Sequence, residues 1–223
     1  MDFTLEMAAA CGKEWDRMHT HPFVAGIGRG DLATDKFIFY LRQDYVYLVE
    51  FCRLLALIAA RAPDLETMAR FKDLLKITMG FEMDLHKRIC ADFGITVEQL
   101  NREKPAPYCL AYTSFLLATA YGGGFADSVA ALLPCAWGYY EVGKRLAQLG
   151  LPVEKCYREW VETYSSREMA DLVEYLRSLM NSLAQGAPNM DKERWKALFA
   201  RSVSFEVLFW EMGYRKLDKV VEG

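Results

Sequence analysis

The chain has 223 residues, of which 52% are hydrophobic and 26% are charged, and its formal net charge is -3. This length and composition allow a sizeable core and exclude a disordered chain. Because Lys and Arg are scattered among Asp and Glu, the sequence offers no basic face for phosphates, and we expect no nucleic-acid partner.

Helical periodicity dominates the chain, and no segment shows sustained strand-like alternation of apolar and polar residues. The pattern predicts an all-α protein with a single domain over residues 1–223. The sequence "TVEQ", Thr96 to Gln99, also predicts a capping box on a short turn. The predicted helices span residues 3–18, 35–61, 64–93, 107–121, 127–149, 153–164, 167–185 and 192–221.

The first residues indicate where the protein works. Asp2 and Glu6 lie where a secretory signal would have its basic start and apolar core, so we expect a cytoplasmic protein. Between Lys104 and Glu141 the only charged residue is Asp127, which raises the question of a membrane span. We predict a buried helical hairpin instead, with no membrane partner, because prolines and glycines interrupt the segment. They are Pro105, Pro107, Gly122, Gly123, Gly124 and Pro134.

The six cysteines are widely separated and form no C-x-x-C pair, which excludes a zinc knuckle and a thioredoxin-type motif. We expect reduced thiols. A free cysteine is usually a small buried hydrophobe, so only its surroundings can single one out as reactive. The cysteines are Cys11, Cys52, Cys90, Cys109, Cys135 and Cys156.

The helix predicted at 35–61 has a continuous apolar stripe with Asp44 in its middle. A buried carboxylate needs a partner, because an unpaired buried charge costs several kcal/mol. Two interpretations stay open for Asp44: a structural bridge to an Arg or a helix N-terminus, and a ligand-binding group. The stripe consists of Phe37, Tyr40, Leu41, Tyr47, Leu48, Phe51, Leu54, Leu55 and Ile58.

Two further helices place polar groups on apolar faces. Glu206 lies within the stripe of the last helix, and Cys135 shares a face with Tyr139, one turn later. Ligand pockets in helical bundles are built from such inward groups on facing helices. Asp44 and Tyr47 would suit the same pocket, although spacing alone leaves open whether the helices converge.

Metal binding is the main alternative use for such groups. Glu82 and His86 lie one turn apart, but a di-iron bundle needs Glu-x-x-His on two helices, and no histidine follows His86. We therefore predict no metal, and a polar core or supporting role for His86. Serine hydrolase chemistry is also disfavoured, because there is no G-x-S-x-G motif.

Several ordered motifs together resemble the TenA family, also called thiaminase II or aminopyrimidine aminohydrolase. They are "HPFVAGIGRG" at 21–30, "FYLRQDYVYL" at 39–48, "LPCAWGYYEVG" at 133–143, "WVETYSS" at 160–166 and "SFEVLFWEMGY" at 204–214. The resemblance implies a helical bundle like that of haem oxygenase, without haem or another cofactor. It also implies a homo-oligomer, usually a tetramer.

The same resemblance implies a role for each of seven residues. These are Cys135 as nucleophile, Glu206 as proton donor, Asp44 as the partner of the exocyclic amine, Tyr139 and Tyr164 as substrate contacts, Tyr112 as a stacking wall and Tyr47 beside the thiol.

The activity that the resemblance implies belongs to thiamin salvage. It is the hydrolysis of 4-amino-5-aminomethyl-2-methylpyrimidine to the hydroxymethyl compound and ammonia, with thiamin as a possible second substrate. Two alternatives remain: a cofactor-dependent oxidase on the same bundle, and a non-catalytic protein, regulatory or purely structural. The three histidines weigh against the oxidase, and the net charge weighs against a DNA-binding regulator.

Overall fold

The computed structural model describes residues 2–219, except for the side chain of Phe81. Within these residues there are twelve α-helices, one π-helical turn at Thr78–Glu82 and no strand, so the all-α prediction is confirmed. No helix in this range is long and apolar enough to cross a membrane. The α-helices are α1 Phe3–Ala10, α2 Lys13–Thr20, α3 Pro22–Arg29, α4 Thr34–Ala60, α5 Leu65–Ile77, α6 Met83–Asp92, α7 Val97–Asn101, α8 Pro107–Gly122, α9 Phe125–Leu149, α10 Lys155–Tyr164, α11 Arg167–Ala184 and α12 Asn189–Arg215.

The N-terminal region differs from the prediction in two places. The helix predicted at 3–18 is broken at Gly12, whose positive φ of 53° interrupts α-helical geometry. The short helix α3 was not predicted. The signals for α3 are nonetheless in the sequence: His21 caps its first turn by accepting from Phe23 N at 3.1 Å, and Gly30 ends it at φ 74°.

Other helix boundaries are also corrected by the structure. The helix predicted at 64–93 is divided by the π-helical turn, and the capping box of Thr96 and Gln99 is confirmed at the start of α7. The last helix ends at Arg215 rather than at 221. Residues 216–219 are not helical, and the rest of that predicted helix lies outside the described residues.

The described residues form two compact units. The first unit comprises the residues up to Ala33 together with Val129–Trp210, and the second comprises Thr34–Ser128 together with the residues from Glu211 onwards. The single-domain prediction therefore stays a prediction. In the first unit, α1 packs against α11, and α3 packs against both α2 and α10. Its largest fully buried side chains include Trp160, Trp210 and Phe199.

The second unit is organised around α4. This helix packs against α5, the π-helical turn, α6, α7 and α8, so that it has neighbours along most of its length. All nine apolar residues of the predicted α4 stripe are buried. Asp44 is buried with them, at 3% exposure, so its predicted position on the buried stripe is confirmed.

Candidate active site

Asp44 is held by two hydrogen bonds that end on the same carboxylate oxygen. The Tyr40 hydroxyl donates to Oδ2 at 2.9 Å, and Nε2 of His86 lies 2.7 Å from Oδ2. Tyr40 precedes Asp44 by one turn of α4, which places both side chains on one helix face. In the described part of the chain, neither an arginine nor a helix N-terminus contacts Asp44. The first interpretation from the sequence was a structural bridge from Asp44 to an arginine or a helix N-terminus. The partners it named are wrong, because Asp44 is bonded to Tyr40 and His86 instead.

His86 lies on α6 and is completely buried. Its Nδ1 is 2.9 Å from the carbonyl oxygen of Glu82, at the end of the π-helical turn. Burial acts to lower the pKa of His86, but the hydrogen bond to Asp44 and the charge of Asp44, together with Glu82, outweigh it and raise the pKa above its ordinary value. The prediction of a supporting role for His86 matches its position beside Asp44.

Two aromatic rings lie further along the second unit. Tyr47, one turn beyond Gln43 on α4, places its ring 5.2 Å from that of Tyr112 on α8, and both side chains are buried. Gln43 fixes the chain that leads into α8, because its side chain accepts from Ala106 N at 2.7 Å and donates to the Lys104 carbonyl at 3.1 Å. The second unit therefore provides a buried carboxylate and a pair of tyrosine rings.

Cys135 is a half-buried thiol on α9 in the first unit. It follows Pro134, which lies inside the helix and has no N–H to donate to the preceding turn. At the other five cysteines burial raises the thiol pKa, which makes them poor nucleophiles near neutral pH. The value rises to about 11 at Cys11, Cys52 and Cys90, and the pKa is also raised at Cys109 and Cys156.

An aromatic cluster occupies the same unit as Cys135. The ring of Tyr139 lies 4.9 Å from that of Tyr164 and 4.8 Å from that of Trp210, and Trp160 is 4.6 Å from Tyr164. Gly143 explains how Tyr164 comes so close, because a Cβ at this position would lie 2.6 Å from the backbone carbonyl carbon of Tyr164. The close approach of α9 to the end of α10 therefore depends on a glycine.

Glu206 lies on α12 and is buried at 2% exposure. Two contacts fix how α12 runs beside α9. Ser202 Oγ donates to the Ala131 carbonyl at 2.6 Å, and eight residues further along each helix Trp210 meets Tyr139. The two helices are therefore parallel at this point. Cys135 and Glu206 each lie four residues after the first contact, so they occupy the same level of the helix pair.

The predicted site residues thus fall into two groups. Cys135, Tyr139, Tyr164 and Glu206 lie in the first unit, and Asp44, Tyr47 and Tyr112 lie in the second. The placement of Tyr47 beside the thiol stays a prediction. No three His, Cys, Asp or Glu side chains are grouped to hold a metal ion among the residues described.

Sequence reasoning missed several residues that shape these groups. Tyr40 was assigned only to the apolar stripe, although its hydroxyl bonds Asp44, and Gln43 was not singled out at all. The signal for Tyr40 was available, since a tyrosine one turn before a buried carboxylate can reach it. The same spacing was available for Trp160, which precedes Tyr164 by one turn of α10 and contacts its ring.

Comparison with known proteins gives the wider context of this arrangement. A protein of Halalkalibacterium halodurans named "Aminopyrimidine aminohydrolase" is 37% identical over 97% of this chain and 97% of its own length. A solved structure described as "TenA homologue protein from P.horikoshii OT3" has a TM-score of 0.89 and 32% identity, covering 96% of this chain and 99% of that one.

A more distant structure tests the fold prediction alone. A domain of unknown function from Shewanella denitrificans, described as having a heme oxygenase-like fold, has a TM-score of 0.74 at 15% identity and covers 97% of this chain and 93% of that one. The predicted haem-oxygenase-like bundle is therefore confirmed. The model of the TENA/THI-4/PQQC family matches residues 9–216. This match spans almost the whole chain and includes every residue of the candidate site, and the chain belongs to the TENA/THI-4/PQQC family.

Proposed function

We propose that the protein is an aminopyrimidine aminohydrolase of thiamin salvage. It hydrolyses 4-amino-5-aminomethyl-2-methylpyrimidine to 4-amino-5-hydroxymethyl-2-methylpyrimidine and ammonia. The relative from Halalkalibacterium halodurans bears the name of this activity. Within this chain, one observation supports the proposal most directly. Cys135 and Glu206 lie at the same height along the parallel helices α9 and α12.

The chemistry explains why a thiol and a carboxyl group are needed together. Displacing an amine from the methylene carbon is difficult while the pyrimidine ring is aromatic. The Cys135 thiolate adds to the unsubstituted ring carbon while Glu206 donates a proton to the ring nitrogen, so aromaticity is lost. The adduct then expels ammonia, water adds to the exocyclic methylene carbon, and elimination of the thiolate restores the aromatic ring.

The remaining residues bind and orient the ring in this proposal. The carboxylate of Asp44 accepts from the exocyclic amine, which fixes the orientation of the pyrimidine. The family resemblance assigns ring contacts to Tyr139, Tyr164 and Tyr112 and a place beside the thiol to Tyr47, and we adopt these roles in the proposal. The tyrosines are buried, so the surfaces offered to the ring are apolar and rigid.

Thiamin is included as a second substrate. Its pyrimidine also carries a leaving group on the methylene carbon, in this case the thiazolium, and the same addition and elimination would release it. Hydrolysis then yields the hydroxymethylpyrimidine and the thiazole.

The direct test is release of ammonia from the aminomethylpyrimidine by purified protein. Ammonia and the hydroxymethyl product should form in equal amounts, and a boiled sample serves as control. Absence of release above the boiled sample, with the protein shown to be folded, would remove the proposed activity. A parallel assay with thiamin, following the thiazole, ranks the two substrates.

We also propose that the protein is a single-domain homotetramer in the cytoplasm. The support for the homotetramer is the family resemblance of the sequence rather than any surface of the chain. Sedimentation equilibrium at micromolar concentration tests the assembly, because a single species at 25.5 kDa would contradict it.

A further inference from the structure

The second unit contains a buried imidazole that the proposed reaction does not use. We propose that His86 is a positioning residue, held as an imidazolium, which fixes Asp44 as an ionised acceptor for the exocyclic amine of the substrate. This inference rests on the proposed function for the identity of the substrate. It concerns the charge of His86 and the orientation of the Asp44 carboxylate, which neither the family match nor the relative's name specifies.

The charge of His86 follows from what its two ring nitrogens face. Nδ1 lies 2.9 Å from the Glu82 carbonyl oxygen, which can only accept a hydrogen bond, so Nδ1 carries a proton. Nε2 lies 2.7 Å from Oδ2 of Asp44. A carboxylate there is also an acceptor only, and Nε2 then carries a proton too, which makes the ring an imidazolium. The short distance agrees with a hydrogen bond between two charged groups.

The alternative arrangement would place the proton on Asp44 and leave Nε2 as an acceptor. The raised pKa of His86 supports the imidazolium, because it favours the protonated ring beside the carboxylate. A second donor also favours the ionised carboxylate, since the Tyr40 hydroxyl reaches the same Oδ2 at 2.9 Å. Two donors on one oxygen suit a negative charge better than a carboxylic acid.

The two donors leave the other oxygen for a ligand. Within residues 2–219, the hydrogen bonds to the Asp44 carboxylate all end on Oδ2, and none reaches Oδ1. An ionised carboxylate can accept at both oxygens. His86 and Tyr40 therefore hold one edge of the group, and Oδ1 is the oxygen that accepts from the amine of the pyrimidine.

The fixed ring of His86 gives Asp44 a defined direction. The imidazole is held at both ends, by the Glu82 carbonyl of its own chain segment and by Asp44, which lies 42 residues earlier. Because the ring is fully buried, it has little freedom to follow a moving carboxylate. Substrates with a hydrogen-bond acceptor in place of the amine should then be rejected, because they would face a carboxylate that cannot become a donor.

The first experiment measures the protonation of His86 in the wild-type enzyme. The protein contains three histidines, so selective ¹⁵N labelling of histidine gives few signals, and His86→Gln assigns the relevant ones. We expect both ring nitrogens of His86 to carry protons at neutral pH. A neutral ring with an unprotonated Nε2 would overturn the proposal, and if His86→Gln does not fold, His19→Gln and His21→Gln assign the remaining signals to His86 by elimination.

The second experiment measures recognition of the amine. The hydroxymethyl product and its 4-oxo analogue are compared as ligands of wild type, and we expect wild type to prefer the amine by at least about a hundredfold. In His86→Leu this preference should fall below about tenfold. His86→Gln, which keeps an N–H donor but has no charge, should lie between the two.

Cys90→Ala is the matched control for this comparison. Cys90 is buried on α6 one turn beyond His86 and takes no part in the proposed binding. Cys90→Ala should reduce stability and leave the preference for the amine unchanged. If His86→Leu folds and retains the wild-type preference, the positioning role is wrong.

These readouts separate the inference from the proposed function. If wild type binds the amine selectively and His86→Leu loses this preference, but wild type releases no ammonia, the reaction is wrong and the positioning role stands. If wild type releases ammonia but His86 is neutral, the reaction stands and the positioning role is wrong.

Discussion

The two units carry their polar groups in different ways. In the first, a thiol and a carboxyl group lie at one level of two parallel helices, near a cluster of aromatic rings. In the second, the carboxylate of Asp44 belongs to a chain of hydrogen bonds through Tyr40 and His86. The first arrangement suits covalent chemistry, and the second suits a fixed orientation. Substitution of Cys135 or Glu206 in the first unit should therefore lower kcat, whereas substitution of Asp44 or His86 in the second should weaken recognition.

The largest effect is expected for Cys135→Ser. A serine hydroxyl is rarely ionised near neutral pH, so turnover should fall at least about a thousandfold, while the small change in size leaves the fold intact. Ammonia release and thermal unfolding measure the two properties. Cys156→Ser is the matched control, because Cys156 is a half-buried thiol in the same unit whose pKa is raised by burial, and it should retain activity. Full activity in Cys135→Ser would refute the assignment of the nucleophile.

Glu206→Gln should produce the next largest effect. The amide keeps the shape of the side chain but cannot donate a proton of useful acidity, so kcat should fall by about 10² to 10⁴. The affinity for the hydroxymethyl product should change by less than about fivefold, since the ring is oriented elsewhere. Calorimetric titration measures that affinity. A large loss of affinity with unchanged kcat would show that Glu206 binds rather than donates.

The close approach at Gly143 gives a stability prediction for the first unit. In Gly143→Ala the new Cβ would lie 2.6 Å from the Tyr164 backbone, so α9 and α10 must separate. We expect a loss of about 1–3 kcal/mol in the free energy of unfolding, measured with urea. Gly122→Ala is the control in the second unit, because a Cβ there meets nothing within 4 Å, and its stability should be unchanged or slightly increased. Equal effects at the two sites would contradict the packing argument.

The smallest predicted effects concern the pH dependence of stability, which should differ between the two units. The folded-state pKa of His86 is raised, so its stabilising contribution is complete below about pH 6.5, the ordinary value for histidine, and is lost as pH rises through the folded-state pKa. His19 in the first unit behaves in the opposite way. Burial lowers its pKa despite its backbone bond with Trp15 and the charge of Glu141, so stability is lost as pH falls below about 6.5.

Urea unfolding between pH 5 and 9 measures this difference for wild type, His86→Gln and His19→Gln. The His86 variant should lose the decline of stability at high pH, and the His19 variant should lose the decline at low pH. Slopes of the same sign for both histidines would show that the two units do not differ in this way.

Local patterns predicted most of the helical architecture. The apolar stripe of α4 predicted both its buried face and the burial of Asp44, because helical periodicity determines which residues share a face. The positions of Cys135 and Glu206 on their helices were predicted for the same reason. The periodicity of one helix does not predict its register against another helix. The register between α9 and α12 depends on the Ser202–Ala131 hydrogen bond and on the contact of the Trp210 ring with Tyr139.

The partner of Asp44 was beyond prediction for a related reason. His86 is 42 residues away, and a continuous helix was predicted across the segment that contains it. The π-helical turn changes the direction of every side chain that follows it, and its hydrogen-bonding pattern leaves little trace in composition. The helix α3 was missed for a different reason. Its proline, its histidine cap and its terminal glycine are all present in the sequence and could have predicted it.

The π-helical turn has a consequence for how the length of this segment can vary. A π-helical turn accommodates more residues than an α-helical turn, and each residue of an α-helix rotates the next side chain by about 100°. Loss of one residue from Thr78–Glu82 would let α5 continue into α6 as a regular helix, and because the wide turn already absorbs that residue, His86 would keep its direction toward Asp44. The segment can therefore lose a residue at this turn more readily than in the α-helical part of α5, where a deletion would rotate the imidazole of His86 by about 100°.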